Sequence, residues 1–221
     1  MHIVCTDLEG IFIPEIWINV AAKTGIQDLN LTTRDVPDYN VLMRKRLAIL
    51  KENRLKLKDI TNVIATMAPL AGAEEFLNWL RARTQVIVVS DTYVEFARPL
   101  MKKLGWPTLF CHHLSVAADG SIEDYNLRQP DSKYRAVLAL KNLNYTVISI
   151  GDSYNDITML KAADHAILYC PPDNVKVEYP KFPTAYNYAE LKAQLLQTMN
   201  HRNCLLYTSD AADDAMNVWS S

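Results

Sequence analysis

The nine residues HIVCTDLEG at positions 2–10 decide how the rest of the chain is interpreted. The apolar and β-branched run at 2–6 predicts a buried strand. Two carboxylates, Asp7 and Glu9, follow it at once, although like charges so close together repel each other. Because residues i and i+2 of an extended backbone point to the same face, the two carboxylates are expected to work together. The pair therefore indicates chemistry at the end of the strand.

Three further strand-like runs are each followed by a turn and a helical pattern. They read QVIVVS (85–90), YTVISI (145–150) and HAILYC (165–170). This alternation predicts an α/β fold, with a Rossmann-like core of parallel strands and crossover helices. The stretch TLFCHHLSVAADGSIEDYNLR (108–128) has a turn signal between two strand-like halves, which predicts a β-hairpin.

The chain between the first two strands is too long for an ordinary crossover connection. It holds three helical patterns, EIWINVAAKTG, DYNVLMRKRLAILKEN and KLKDITNVIATM. We therefore predict a core formed by residues 1–13 and 70–203, and a helical cap domain, residues 14–69, inserted over the carboxyl edge of the sheet. The tail at 204–221 does not continue the pattern, and we interpret it as disordered or foreign to the domain, with no function.

Composition narrows the classes of function. The 221 residues are 49% hydrophobic and 22% charged, and the formal net charge is -2. The absence of a long basic run argues against a nucleic-acid partner, and no apolar stretch is long enough for a membrane span. Cys5, Cys111, Cys170 and Cys204 form no CxxC pair and are expected to be buried apolar residues of a cytoplasmic protein. A small-molecule partner is expected; the oligomeric state stays open, with a homodimer as one alternative.

Polar residues follow each of the first three parallel strands. They are Asp7 and Glu9 after the first, Ser90, Asp91 and Thr92 after the second, and Gly151, Asp152, Asn155 and Asp156 after the third. Ligands of open parallel sheets bind outside the carboxyl ends of the strands. Helix capping explains any one of these residues alone, but their recurrence at every strand end predicts a phosphate or metal site.

These residue types permit phosphoryl transfer. Asp7 and Asp152 could share Mg²⁺, which prefers carboxylates, waters and a substrate phosphate. Asp7 could attack phosphorus and form an aspartyl phosphate, while Glu9 acts as general acid and base beside the leaving oxygen. Ser90 would bind phosphoryl oxygens, and Lys133, at the start of a predicted helix, would complete the cradle. Lys133 alone could equally be a solvated side chain.

One charged residue of the cap lies on an apolar helix face. At 100° per residue, that face contains Leu42, Met43, Arg46, Leu47, Ile49 and Leu50, while Arg44, Lys45 and Lys51 lie opposite. Arg46 must therefore find an anionic partner or extend to solvent. Glu15, at the start of the first cap helix, is either an acid favoured by the helix dipole or a ligand for a substrate ammonium group. Together, Glu15 and Arg46 would recognise an amino acid.

Four segments in this order resemble the motifs of the haloacid dehalogenase superfamily of phosphohydrolases. They are DLEGI, VIVVSD, the lysine of PDSK and GDSYNDITML. The helical insertion resembles that of the phosphoserine phosphatase group. DLEG with EIWI, TTRDVPDY, VLM and FPTAYNY is most similar to the bifunctional phosphoserine phosphatase/homoserine phosphotransferases. The resemblance covers about residues 1–200.

The resemblance implies a Mg²⁺-dependent phosphoserine phosphatase that forms an aspartyl phosphate on Asp7 and accepts homoserine as a second phosphoryl acceptor. It assigns catalysis to Asp7 and Glu9, substrate binding to Glu15, Arg46, Ser90, Asp91, Lys133 and Asn155, the metal to Asp7, Asp152 and the backbone carbonyl of Glu9, and a supporting role to Asp156. Most of the superfamily has Asp at the position of Glu9, whose carboxyl reaches about 1.5 Å further. We hypothesise that this difference affects whether water or an alcohol receives the phosphoryl group.

Other functions fit the residues less well. A phosphatase for another small phosphomonoester is the main alternative. A phospho-accepting receiver module also uses acids, a hydroxyl and a lysine at strand ends, but the large helical insertion and a phosphoacceptor on the first strand count against it. A catalytically idle binding protein would lack the nucleophile or the lysine, and both are present. The choice between water and homoserine depends on cap closure, which sequence does not reveal.

Overall fold

A computed structural model describes residues 1–32, 35–36 and 38–200 of the chain. Its strands are β1 (His2–Thr6), β2 (Gln85–Tyr93), β3 (Thr108–Val116), β4 (Ile122–Asn126), β5 (Thr146–Gly151), β6 (His165–Tyr169) and β7 (Thr184–Ala185). Its α-helices are α1 (Ile16–Thr24), α2 (Tyr39–Glu52), α3 (Leu57–Thr66), α4 (Ala73–Arg81), α5 (Val94–Lys103), α6 (Ser132–Asn142), α7 (Ile157–Ala162), α8 (Asp173–Glu178) and α9 (Tyr188–Asn200). Within the described ranges, no helix is long and apolar enough to cross a membrane. The predicted tail at 204–221 and the last core residues, 201–203, lie outside the described residues.

The strands form one sheet in the order β4-β3-β2-β1-β5-β6-β7. All pairs are parallel except β3 and β4, which form the predicted antiparallel hairpin. The predicted α/β class and Rossmann-like topology are therefore confirmed. The chain moves outward from β1 through β2 and β3, and then returns to β5 on the other side of β1. This reversal places the topological switch point at the end of β1, where ligands of such sheets bind.

Alternation along β1 divides the apolar core between the two faces of the sheet. Val4 belongs to the cluster on one face, whereas Ile3 and Cys5 belong to the cluster on the other. The first face is covered by α4, α5 and α9, and the second by α6 and part of α7. The sheet is therefore the middle layer of three.

The three predicted helices of the insertion are present as α1, α2 and α3, and their apolar residues join the first of these clusters. Val20 of α1, Met43 of α2 and Ile64 of α3 share one continuous cluster with Val4 and Phe76. The predicted apolar face of α2 is buried, including the side chain of Arg46. The division into core and cap stays a prediction, and the hydrophobic core runs through both parts.

Polar contacts fasten the first half of α2 to the β3–β4 hairpin. Tyr125 Oη donates a hydrogen bond to Asn40 Oδ1 at 2.6 Å, whereas the pair of Arg44 and Asp124, 2.8 Å apart, is exposed to solvent and contributes little. The hairpin therefore supports α2 from the side, and α2 brings Arg46 to the carboxyl edge of the sheet.

The end of β2 differs from the prediction. Ser90, Asp91 and Thr92 were expected to follow the strand, but β2 continues to Tyr93. The register with β3 shifts between Val89 and Tyr93, as in a β-bulge. Bulges next to active sites re-aim side chains, so the polar residues remain in the strand while their directions change. Gly151 likewise closes β5 instead of following it.

The cysteine expectation holds for two of the described cysteines and is wrong for the third. Cys5 and Cys111 are buried, whereas Cys170 is exposed. Cys170 follows β6 near the sheet edge, and its thiol contacts the carbonyl oxygen of Tyr186 at 3.3 Å. All three thiols are free. Cys204 lies outside the described residues.

Replacing Ile64 by alanine tests the shared core. Ile64 is fully buried in α3, so Ile64→Ala should lower the free energy of unfolding by about 2–5 kcal/mol. Because its cluster includes residues on the sheet, urea unfolding should remain a single transition by circular dichroism and tryptophan fluorescence. Val41→Ala, at an exposed position of α2, should change the free energy of unfolding by less than about 0.5 kcal/mol. A separate early transition in Ile64→Ala would contradict the shared core.

Candidate active site

The register of β1 brings three strand ends together. Thr6 pairs with Val88 of β2 and Ile150 of β5, and the backbone N–H of Asp7 donates to the carbonyl oxygen of Ile150 at 2.9 Å. A cavity of about 90 Å³, here called the inner cavity, lies at this point. Among its lining residues are Asp7, Glu9, Glu15, Trp17, Tyr39, Arg46, Ser90, Asp91, Lys133, Asp152 and Asn155. Nine of the ten predicted site residues thus line one cavity, and Asp156 lies behind it.

A buried ion cluster occupies the floor of the inner cavity. The Nζ atom of Lys133 lies 2.7 Å from Asp156 Oδ1, 3.0 Å from Asp7 Oδ2 and 3.6 Å from Asp91 Oδ2. Lys133 is 2% exposed, so it is not the solvated side chain that its helix position alone allowed. Burial opposes its charged form, but Asp156, Asp7 and Asp91 outweigh this effect and raise its pKa. The ammonium group therefore stays charged.

Asp156 supports the other residues. Its Oδ2 accepts hydrogen bonds from the backbone N–H groups of Asp152 (2.9 Å) and Ser153 (3.2 Å), while its Oδ1 contacts Lys133. A Cβ atom at Gly151 would lie only 2.4 Å from the Cβ of Asp156. Asp156 therefore fixes both the loop after β5 and the position of the lysine.

Three carboxylates at the cavity fit a divalent cation. Oxygens of Asp7, Asp152 and Asp156 lie within 4.8 Å of one another. Burial and the charge of Asp156 raise the pKa of Asp7 in spite of Lys133, and the same two causes raise the pKa of Asp152 to about 7. One ammonium does not balance this much buried negative charge, and hard oxygen donors are those that Mg²⁺ prefers.

Glu9 holds the N-terminus of α1. Its Oε2 accepts a hydrogen bond from the backbone N–H of Ile16 at 2.8 Å, which satisfies one of the free donors of the helix. Glu15 occupies the N-cap position of α1, but its side chain makes no capping hydrogen bond. Burial and the neighbouring Glu15 raise the pKa of Glu9 to about 8. Glu9 therefore supplies the capping hydrogen bond of α1 in place of the N-cap residue Glu15. The Glu15 side chain lines the inner cavity instead.

Arg46 is buried, and its closest partners are neutral groups. It donates to the carbonyl oxygen of Leu31 at 2.8 Å, and its guanidinium carbon lies 4.6 Å from the ring centre of Trp17. It is 7% exposed, so it does not extend to solvent. Within the described ranges, no carboxylate lies within ion-pair distance, and its buried Nε has no hydrogen-bond partner. The guanidinium can therefore take an anionic group in the inner cavity.

Asp91 is held by three donors. Asn155 Nδ2 donates to its Oδ2 at 3.1 Å, and His112 Nε2 lies 3.5 Å from its Oδ1. The backbone N–H of Arg128 donates to His112 Nδ1 at 3.1 Å, which leaves the ring proton on Nε2 when the ring is neutral. Although burial opposes ionisation, Lys133, His112 and Asn155 lower the pKa of Asp91 to about 2.

Among the residues of the site that were not predicted are Tyr39, His112 and Trp17. Tyr39 Oη donates to the backbone oxygen of Asp91 at 2.9 Å and pairs with Tyr93 Oη at 2.7 Å. Tyr39 lies seven residues before Arg46, so helical periodicity could have placed the two on one face. His112 could have been placed near Asp91 if β3 had been predicted to pair with β2, since His112 pairs with Tyr93. No sequence signal distinguished Trp17 from an ordinary core residue.

Comparison with family models adds an independent finding. Residues 13–164 match the family of haloacid dehalogenase-like hydrolases. The match begins after Asp7 and Glu9, so it does not by itself depend on the two carboxylates.

Curated relatives resemble almost the whole chain. A phosphoserine phosphatase of Pseudomonas syringae pv. tomato is 53% identical over 200 residues, which cover 90% of this chain and 84% of that protein. The phosphoserine phosphatase ThrH of Pseudomonas aeruginosa is 54% identical over 197 residues, or 89% of this chain and 96% of that protein.

Solved structures share the fold. A substrate-bound phosphoserine phosphatase complex has a TM-score of 0.69 at 21% identity, with 89% of this chain and 97% of that chain covered. A phospho-aspartyl intermediate analogue of phosphoserine phosphatase has a TM-score of 0.66 at 23% identity, with 83% of this chain and 91% of that chain covered. At these identities the likeness concerns the fold alone.

A pair of glycine substitutions tests the candidate metal site. Gly10 has φ +74°, and an added Cβ would lie 2.5 Å from Asp152 Oδ2; Gly25 has φ +75° with no atom within 4 Å. Both alanine variants should lose about 1–2 kcal/mol of stability for the backbone conformation. Only Gly10→Ala should also displace Asp152 and reduce the rise in melting temperature on adding MgCl₂ after chelation. An unchanged response to Mg²⁺ in Gly10→Ala would contradict the site.

Proposed function

The chain belongs to the haloacid dehalogenase-like hydrolases, and from that membership we propose that it hydrolyses O-phosphoserine through an aspartyl phosphate on Asp7. The observation that carries the proposal is one cavity that combines the Asp7–Lys133 pair with Glu15 and Arg46. The first pair suits a phosphoryl group, and the second suits the two charged groups of an amino acid. The names of the two Pseudomonas relatives support the same substrate.

The phosphoryl group is held before it reacts. Lys133, Ser90 and Asn155 line the inner cavity and offer donors to its oxygens. Ser90 is buried, and its Oγ accepts from the backbone N–H of Thr92 at 3.3 Å, which orients the hydroxyl. Asp91 contacts Asn155 and Lys133 and so holds these two donors in position. Positioning and charge stabilisation are the main needs of phosphoryl transfer.

Asp7 is the nucleophile. Its Oδ1 accepts from the backbone N–H of Leu8 at 2.8 Å, and its Oδ2 contacts Lys133, so the carboxylate is fixed at both oxygens. A bond forms between Asp7 and phosphorus while the bond from phosphorus to the serine oxygen breaks. The electron pair leaves with the serine oxygen, which takes a proton from Glu9.

Water completes the cycle. It attacks the phosphorus of the aspartyl phosphate and gives its proton to Glu9, which regenerates the Asp7 carboxylate and produces orthophosphate. Glu9 can serve both steps because it lines the same cavity and is held by Ile16 N–H. In-line geometry places the departing serine and the incoming water on the side of phosphorus opposite Asp7.

Mg²⁺ is the proposed cofactor. Asp7, Asp152 and the backbone carbonyl of Glu9 would hold it, with Asp156 in support, which agrees with the buried acidic residues of the cavity. When bound, the ion supplies positive charge that neutralises phosphoryl oxygens and one buried carboxylate.

Homoserine is the proposed second acceptor. The resemblance of DLEG, EIWI and FPTAYNY to the bifunctional group supports it. The inner cavity is lined by Glu15 and Arg46, which suit the ammonium and carboxylate groups of homoserine as well as those of serine. An alcohol that occupied the position of the departed serine would displace water that competes for the phosphoryl group.

Turnover of phosphoserine tests the function. With Mg²⁺, the chain should release serine and phosphate in equal amounts, and added homoserine should divert part of the phosphate into phosphohomoserine. Asp7→Asn removes the nucleophile and should lower the rate by roughly three orders of magnitude or more. Asp124→Asn, a partly exposed carboxylate of the hairpin, should keep the wild-type rate. Wild-type product formation no faster than that of Asp7→Asn would refute the proposed activity.

Two arginines of α2 test amino-acid recognition. Arg46→Ala should raise KM for phosphoserine about tenfold or more, because a charged hydrogen-bond partner is lost. Its kcat/KM for an aryl phosphate, which has no amino-acid group, should change little. Arg44→Ala, on the opposite and exposed face of the helix, should leave both substrates unaffected. Equal losses on both substrates in Arg46→Ala would mean that Arg46 serves the fold.

A further inference from the structure

A larger cavity adjoins the inner cavity on the side of α6. It measures about 550 Å³ and is here called the outer cavity, within the usual range of small-molecule sites. Tyr39, Asp91, Lys133 and Asn155 line both cavities. Leu127 and Ser132 are among the residues that line the outer cavity alone. The two cavities are therefore neighbours across a shared wall of side chains.

The shared wall rests on side-chain contacts. Asn155 Nδ2 donates to Asp91 Oδ2 at 3.1 Å, and Lys133 Nζ lies 3.6 Å from the same oxygen. Asn155 is thus a side-chain part of the wall, held by Asp91 and by Ser153 Oγ, which donates to its Oδ1 at 2.6 Å.

Hydrogen-bond donors without acceptors lie at the first turn of α6, which lines the outer cavity. Ser132 is only 5% exposed, and its hydroxyl has no hydrogen-bond partner among the described residues. The backbone N–H groups of Ser132, Lys133 and Tyr134 are also without acceptors within the described part of the chain. Asp131 stands at the N-cap but forms no cap hydrogen bond; its carboxylate accepts from Thr158 Oγ1 at 2.9 Å. The start of the helix therefore presents donors that nothing else satisfies.

The carboxylates of the outer cavity already have donors. Asp91 is held by Lys133, Asn155 and His112, and Asp131 is held by Thr158. At the first turn of α6, the groups without partners among the described residues are three backbone N–H groups and the Ser132 hydroxyl, all of which can donate. Such a set complements an oxyanion.

We propose that the outer cavity is a second oxyanion site, which receives the orthophosphate product after it crosses the wall at Asn155. The inference rests on the proposed function, since that reaction forms the phosphate. Lys133 lines both cavities and can contact the anion on either side of the wall. Serine departs on the side of phosphorus opposite Asp7, so the two products leave by different routes.

Calorimetry with inorganic phosphate tests the site directly. In the presence of Mg²⁺, the wild-type chain should bind two phosphates. Ser132→Ala should weaken the second binding event about tenfold or more, as expected for the loss of a hydrogen bond to a charged group. Ser115→Ala removes a half-buried serine of β3 that is bonded to Asn126 and should keep both events. Sodium acetate, a carboxylate of similar size, should not compete for the second site.

Matched tryptophan variants test the exit route. Leu127 is 38% exposed and lines the outer cavity, whereas Leu138 is 37% exposed on α6 and does not. Leu127→Trp should slow the appearance of free phosphate severalfold in stopped flow with a phosphate sensor, without slowing serine formation in the first turnover. Leu138→Trp should match the wild type.

The results separate the two proposals. If the wild type forms no serine, the proposed function fails, and the calorimetric result alone decides whether the oxyanion site exists. A single bound phosphate per wild-type chain, or two undiminished events in Ser132→Ala, would overturn the second site. Equal rates of phosphate release in the two tryptophan variants would overturn the exit route.

Discussion

The contact of one buried ammonium with three carboxylates is the constraint on which the remaining structure depends. Lys133 comes from α6, while Asp7, Asp91 and Asp156 come from the end of β1, from β2 and from the turn after β5. Removing one partner of a buried ion pair typically costs 3–5 kcal/mol, because the remaining charge is left uncompensated. The cluster therefore holds the strand ends and α6 in a fixed relation, at the cost of dehydrating four charged groups.

The same cluster gives similar carboxyl groups different electrostatic surroundings. Asp91 lies against Lys133, His112 and Asn155, and its pKa falls to about 2 despite burial. Asp152 is also buried but has Asp156 as its strongest charged neighbour, and its pKa rises to about 7. The distribution of hydrogen-bond donors and charges thus decides which acid ionises most readily. It also decides which part of the site carries negative charge for a cation to balance.

Sequence patterns predict those features that depend on local periodicity and on strand topology. The strands β1, β5 and β6, the helices α1, α2 and α3, and the meeting of polar residues beyond the strand ends all belong to this class. The irregular end of β2 does not, because it arises from the register with β3. The neutral partners of Arg46 and the capping of α1 by Glu9 also depend on how separate segments meet, and neither residue type encodes its partner.

The hydroxyl of Tyr39 joins the helix that carries Arg46 to the backbone of Asp91. Together with the continuous apolar core beneath α1, α2 and α3, this link makes the chain a poor candidate for modular redesign. Transplanting residues 14–69 from a relative with another substrate preference would also exchange a support of the phosphoryl-holding strand. A change of specificity in this protein is therefore expected to come through coordinated substitutions on both sides of the cavity, since neither side is mechanically independent.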